Sequence, residues 1–274
     1  MIMNRFKGIL LASDFDGTLT GHDGKIPQRN IDAIKYFISE GGHFTVSTGR
    51  TKVGFHNYSS NIINAPVLLG NGAMAYDYEK QIIAFGNCIL SDSIDVINKI
   101  LSENSEHGTE FYSLDGNVFV HNANPQNKHH FEGLKIASYS EIENVTHEMF
   151  PFVKIMVSAG NKSLEFQKYL DSIDIGNIKY IPTKGSFVEI LSNDAGKGKA
   201  LMQLADYLGI DRNNAYCIGD GSNDRDMLET ASLSFSPCDG DPDAVKSADV
   251  SVCGCDDGSV ADAIEYIEKN VIRN

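Results

Sequence analysis

An apolar run, Gly8-Ile9-Leu10-Leu11-Ala12, stops abruptly at Ser13-Asp14-Phe15-Asp16-Gly17-Thr18-Leu19-Thr20, and this junction narrows the folds open to the chain. A short continuous apolar run reads as a strand covered on both faces, the kind found in parallel sheets flanked by helices. Two carboxylates are set two residues apart where this strand runs out into a turn. In an extended chain side chains alternate, so Asp14 and Asp16 point to one side and Phe15 to the other. Gly17 permits a sharp bend and Thr18 offers a hydroxyl. Two close carboxylates repel unless a cation or proton lies between them, which suggests a metal or acid–base site. Taken alone, the octet leaves open the alternative of a solvated turn capping a strand.

The same layout recurs. Pro27 opens a helical pattern with Ile31, Ile34, Phe37 and Ile38 at spacings of three and four, and Gly41-Gly42 end it. His43 to Ser47 reads as a second strand that runs into Thr48-Gly49-Arg50, and Pro66 to Leu69 as a third that stops at Gly70-Asn71-Gly72-Ala73. Strands that each end in a small polar loop predict a parallel sheet with its functional edge at the strand C-termini.

From about Ile82 to Ser186 the pattern changes. Helices are expected at 91–102 and 162–173, and strands at 110–112, 118–121, 153–157 and 179–181, with Leu114-Asp115-Gly116-Asn117 as a hairpin turn. Strands joined by short turns suggest a more antiparallel α+β unit. The polar stretch 122–133 has little apolar periodicity, and His121, His129 and His130 read as surface residues.

The last third resumes the first style. Phe187 to Leu191 reads as a strand and Lys197 to Leu208 as a helix closed by Gly209. Ala215 to Ile218 is a buried strand ending at Gly219-Asp220-Gly221-Ser222-Asn223-Asp224. A helix from Asp226, short strands at 233–235 and 249–252, and a C-terminal helix over about 258–270 complete the chain. The simplest organisation is an α/β core of residues 1–82 and 187–274 interrupted by an inserted α+β unit of residues 83–186.

Composition excludes some partners. The 274 residues carry a formal charge of −14, which repels a nucleic-acid backbone. No stretch approaches the roughly 20 apolar residues that span a bilayer. The N-terminal segment lacks a signal-peptide layout, so a soluble, cytoplasmic protein is expected, with a monomer the simplest state. Cys88, Cys217, Cys238, Cys253 and Cys255 are an odd count without framework spacing, and no neighbouring Cys or His joins Cys253 and Cys255 in sequence. They read as free thiols.

Four polar clusters follow strands or open a helix: Asp14/Asp16, Thr48 with Arg50, Lys197, and Asp220/Asp224. A parallel sheet gathers such loops into one crevice. The inventory is four carboxylates, a hydroxyl and an ammonium, with Asn223 beside them. Oxygen donors without Cys or His suit Mg²⁺, which engages phosphate while keeping waters. A Thr and a Lys nearby would neutralise phosphoryl oxygens in a transition state. A calcium-type acidic loop is the rival for 219–224, but a strand rather than a helix precedes it.

With these residues in place, the sequence resembles the haloacid dehalogenase superfamily, specifically its Cof-type phosphatases. Asp14-Phe15-Asp16-Gly17-Thr18-Leu19 is similar to the family's first motif, Ser47-Thr48-Gly49-Arg50 to its second and Lys197-Gly198-Lys199-Ala200-Leu201 to its third. The fourth is matched by Gly219-Asp220-Gly221-Ser222-Asn223-Asp224 with Met227-Leu228, and Asn71-Gly72-Ala73 resembles a further Cof-type element. The resemblance implies a Rossmann-like parallel-sheet core with an inserted α+β cap, and a Mg²⁺-dependent phosphatase acting on a small phosphorylated metabolite such as a sugar phosphate. It implies Asp14 as nucleophile and Asp16 as general acid, then base. Metal ligation falls to the Asp14 carboxylate, the Asp16 carbonyl, Asp220 and Asp224. Thr48 and Lys197 become phosphoryl contacts, and Gly49, Arg50, Asn71, Gly72 and Asn223 substrate-side positions. One departure is Ser236-Pro237-Cys238-Asp239-Gly240-Asp241-Pro242, where many members have a Gly-Asn-Ala-type loop. A phosphomutase shares every core motif, and a phospho-aspartate switch module without turnover is the non-enzymatic alternative.

Overall fold

The computed structural model describes residues 4–183 and 186–272, so Met1–Met3 of the N-terminal segment and Lys184–Gly185 near the end of the expected insert lie outside the described residues. The chain divides into two compact units: Met1–Gly49, Asn57–Phe85 and Gly196–Asn274 form the first, and Arg50–His56 with Gly86–Ala195 the second.

In the first unit, the opening apolar run becomes strand β1 (Leu10–Ser13), buried along its whole length. Helix α1 (Gln28–Ser39) begins after Pro27, whose fixed φ suits a helix start, and buries Ile34 and Phe37. Strand β2 (His43–Val46) follows, then β3 (Val67–Leu69), β4 (Met74–Asp77) and β5 (Ile82–Gly86).

The second unit contains α2 (Ile94–Glu103), β6 (Gly108–Ser113), β7 (Val118–His121), α3 (Pro125–Leu134), β8 (Ser140–Glu141), β9 (Phe152–Ser158), α4 (Ser163–Ser172), β10 (Ile178–Pro182) and β11 (Phe187–Ser192). The chain then returns to the first unit with α5 (Lys197–Leu208), β12 (Ala215–Ile218), α6 (Arg225–Thr230), β13 (Leu233–Pro237), α7 (Pro242–Ser247), β14 (Val250–Val252) and α8 (Ser259–Asn270).

The core sheet of the first unit has the order β14-β13-β12-β1-β2, and its pairings are parallel. Strands β3, β4 and β5 form a separate three-stranded sheet. The run of parallel strands with helical crossovers is the α/β architecture expected from strands buried on both faces. Arg29 ties α1 to α8 through ion pairs with Asp262 and, at 2.9 Å, Glu265.

The second unit is built on a six-stranded sheet ordered β10-β11-β9-β6-β7-β8. Its pairings are antiparallel apart from β7 with β8. Alternation sorts its side chains. Phe111, Ile155, Val157, Val188 and Ile190 pack with Ile97, Ile100, Phe166 and Leu170 of α2 and α4, whereas Tyr112, Val120 and Met156 pack with Phe131 of α3.

Four readings of the sequence change here. Phe187 to Leu191, read as the first strand of the returning core, pairs antiparallel with β9 and β10. Its apolar residues suit either kind of sheet, and only its partners decide. Helix α3 occupies the polar stretch that shows little periodicity. It forms because Asn124 accepts the Gln126 and Asn127 N–H groups at 2.9 and 3.1 Å, while Asn127 accepts the Asn124 N–H. Of its histidines, His130 is half-buried with Nδ1 2.8 Å from the fully buried Glu110, so it is a hydrogen-bond partner of that carboxylate rather than a surface residue. Finally, β4 and β5 lie where no strand is read from the sequence.

Among the described residues, no helix is long and apolar enough to cross a membrane.

Candidate active site

Register places the acidic loops side by side. β1 pairs with β12 so that Ser13 lies opposite Ile218, and the Asp14 N–H donates to the Ile218 carbonyl at 2.9 Å. The next residues on each strand are therefore Asp14 and Gly219-Asp220. On the other side Ser13 lies opposite Val46, which brings Ser47 and Thr48 to the same edge. Strand β1 ends at Ser13, and the chain turns at once through Gly17, whose φ of 81° is open to glycine at little cost. Extended alternation thus no longer orders the two aspartates: Asp14 is buried and Asp16 is exposed.

Lys197, the first residue of α5, lies at the centre of the cluster. Its side chain is fully buried, and Nζ donates to Asp14 Oδ1 and Asp224 Oδ1 at 2.5 Å each. Asp224 is held from the other side by the Gly221 N–H, 2.9 Å from its Oδ2. Asp220 accepts the Thr18 hydroxyl at 2.6 Å. Carboxylate oxygens of Asp14, Asp220 and Asp224 lie within 4.8 Å of one another.

One ammonium thus faces three carboxylates. Burial, with the Asp224 and Asp220 charges, pushes the Asp14 carboxyl up to about 8 against the opposing pull of Lys197. For Lys197 burial favours loss of the proton, but the Asp14 and Asp224 carboxylates outweigh it and hold the ammonium above its usual value. Surplus negative charge and an oxygen-only donor set fit a hard divalent cation such as Mg²⁺.

A second group of contacts joins the remaining loops. Asn71 is buried with φ of 54°, its N–H donates to the Thr48 carbonyl at 3.0 Å, and its Oδ1 accepts the Asn223 amide at 3.3 Å. Gly49 lies against the same amide, since a Cβ there would be 3.1 Å from Asn71 Oδ1. Asn71 therefore joins the loops after β2 and β12. Gly72 has a packing role: with φ of 85°, a Cβ would lie 2.2 Å from the Gly196 carbonyl, just before Lys197. Gly72→Ala is expected to cost about 2–4 kcal/mol, from left-handed strain together with overpacking, as read by urea unfolding.

Arg50 is half-buried and belongs to the second unit. Two positions escape the motif reading. Thr18 is singled out only for its hydroxyl, yet it holds Asp220. Asp226 receives the Gly198 N–H at 3.0 Å and so fixes the start of α5; an aspartate in a helix first turn carries no signal for that partner.

The chain is similar to known proteins. The family model described as haloacid dehalogenase-like hydrolase matches residues 11–264. The chain is 28% identical to hydrolase C215.10 of Schizosaccharomyces pombe, over 94% of this chain and 90% of that protein. It is 26% identical to 5-amino-6-(5-phospho-D-ribitylamino)uracil phosphatase YwtE of Bacillus subtilis, over 81% of this chain and 84% of that protein. A solved haloacid dehalogenase-like hydrolase from Bacteroides thetaiotaomicron superposes with a TM-score of 0.80 at 21% identity, covering 94% of this chain and 99% of that one. The subclass IIB sugar phosphatase BT4131 gives 0.79 at 19% identity, covering 94% and 98%.

Proposed function

The chain belongs to the haloacid dehalogenase-like hydrolases, and on that footing we propose that it is a Mg²⁺-dependent phosphatase that hydrolyses a small phosphorylated metabolite through an aspartyl-phosphate. The observation that carries this reading is the buried Lys197 ammonium held between Asp14 and Asp224, with Asp220 alongside. A sugar phosphate is the substrate class favoured by likeness to a sugar phosphatase in fold and to a ribityl-phosphate phosphatase in sequence.

Asp14, Asp220 and Asp224 would hold the cation, with the Asp16 main-chain carbonyl. When bound, Mg²⁺ supplies positive charge that favours ionised Asp14 and stabilises negative charge on the phosphoryl oxygens.

The protein's residues divide the chemistry. An Asp14 carboxylate oxygen attacks phosphorus, and the bond to the substrate oxygen breaks. Asp16, exposed beside it, gives its proton to that leaving oxygen, so the alcohol departs neutral. Asp16 then takes a proton from the water that attacks the aspartyl-phosphate, and inorganic phosphate and free Asp14 result. Lys197 keeps its charge throughout and, with Thr48, faces phosphoryl oxygens. Asn223, braced by Asn71, is assigned to the same side, with Gly49 shaping the turn.

The test is phosphate release from p-nitrophenyl phosphate and a panel of sugar phosphates, with Mg²⁺ and with chelator. Release that depends on Mg²⁺ is expected. No release from any substrate by Mg²⁺-loaded protein would remove the reading's support, and transfer to a second hydroxyl of the sugar instead of water would make it a phosphomutase.

A further inference from the structure

Cys255 reads as an isolated thiol in the sequence, but the fold gives it company. His22 lies on the loop after β1, Asp239 on the loop after β13, and Cys255 just after β14. One donor atom from each falls within 4.8 Å of the others. Cys255 Sγ is 3.3 Å from His22 Nδ1 and 3.6 Å from Asp239 Oδ2. Asp256 Oδ2 lies 3.1 Å from the same His22 nitrogen.

These spacings are those of a metal's ligand shell. Thiolate at about 2.3 Å, with nitrogen and oxygen at about 2.0–2.1 Å in a tetrahedron, puts the donors about 3.4–3.6 Å apart. Hydrogen bonds also link the cluster, with both Asp239 oxygens accepting the Cys255 N–H at 3.2 and 3.3 Å. His22 Nδ1 has a single position for a proton or a lone pair, yet it faces both the thiol and the Asp256 carboxylate. The loops are also packed tightly around the cluster: the Asp256 Oδ1 atom accepts the His22 N–H at 2.9 Å, and a Cβ on Gly21 would lie 2.3 Å from it. Cys255 is buried at the floor, while His22 and Asp239 are exposed at the mouth.

We propose that His22, Asp239 and Cys255 form a binding site for a thiophilic divalent transition metal of the Zn²⁺ class, with water as fourth donor. Nitrogen, sulfur and oxygen donors select such ions over Mg²⁺, which distinguishes this site from the all-oxygen cluster at Asp14, Asp220 and Asp224. In the metal-free protein, burial and the Asp239 carboxylate raise the thiol to about 11, so binding releases the Cys255 proton to solvent. The ion would clamp three loops, one of which backs the acidic cluster: the Asp241 N–H donates to the Asp220 carbonyl at 2.8 Å.

The probe is Co²⁺ added to metal-stripped full-length protein in saturating Mg²⁺. One equivalent is expected to produce a thiolate-to-cobalt charge-transfer band that Zn²⁺ displaces. Cys255→Ser abolishes the band, and His22→Ala, at an exposed position, weakens Co²⁺ binding by about tenfold or more. Cys253→Ser and Asp14→Asn leave both the band and the affinity unchanged, so failure of the phosphatase reading and failure of this site are read separately. Absence of the band, its survival in Cys255→Ser, or wild-type affinity in His22→Ala overturns the proposal.

Discussion

Asp14→Asn is expected to lower turnover by about 10⁴-fold or more, because the amide cannot attack phosphorus in place of the carboxylate. The same substitution should leave the fold intact, and its effect on stability has a defined sign. In protein stripped of divalent cations, the Asp14 carboxyl is raised from 3.8 to about 8 by burial and by Asp224 and Asp220. The folded state therefore binds a proton that the unfolded state releases. The stability this provides is fully present below pH 3.8 and is lost as pH rises through about 8. An asparagine does not titrate, so metal-free Asp14→Asn should be the more stable protein above pH 8, with the advantage shrinking toward pH 4. Urea unfolding in chelator at several pH values measures this. If wild type instead gains stability over Asp14→Asn as pH rises from 4 to 8, the account of the cluster's charge is wrong.

Lys197→Met has the opposite character. It removes the ammonium that two buried carboxylates share and leaves Asp14 and Asp224 facing each other with no cation. Breaking a buried ion pair from one side costs about 3–5 kcal/mol, and a loss of that size is expected in chelator at neutral pH. Mg²⁺ should restore part of the stability by supplying charge at the same carboxylates, but not the activity, because no side chain then faces the phosphoryl oxygens from that direction. Equal unfolding midpoints for Lys197→Met and wild type in chelator would show that the pair is not stabilising. The contrast between the two variants, one stabilising in the absence of metal and one destabilising, is specific to two buried carboxylates that share one ammonium with a third carboxylate nearby.

Much of the site is legible in the sequence because its residues lie where apolar runs stop. Asp14, Thr48 and Asp220 each follow such a run, and parallel pairing of β1 with β2 and β12 brings those ends together. Lys197 opens a helix with a regular apolar face and is read on that basis. Less legible are features that depend on a distant partner. Helix α3 has little apolar pattern and is held by Asn124 capping and by the Asn127 amide, which donates to Glu110 at 2.8 Å. Strand β11 has side chains that fit either sheet, and antiparallel pairing with β9 and β10 decides its place. Gly72 reads as a substrate-side position, and only the approach of the Gly196 carbonyl reveals why a side chain is excluded there.

The class of fold follows from local sequence alone. Short two-sided apolar runs permit few alternatives to a helix-covered parallel sheet, and close carboxylates at their ends repel unless a cation or proton lies between them. The different surroundings of the two opening aspartates, in contrast, are decided by the folded chain. The chain leaves the strand after Ser13 and turns through Gly17, and Asp14 is buried against Lys197 while Asp16 stays at the surface. Folding also brings His22 to Cys255 across 233 residues, because such a meeting depends on which loops a sheet sets side by side, and local sequence carries no record of that.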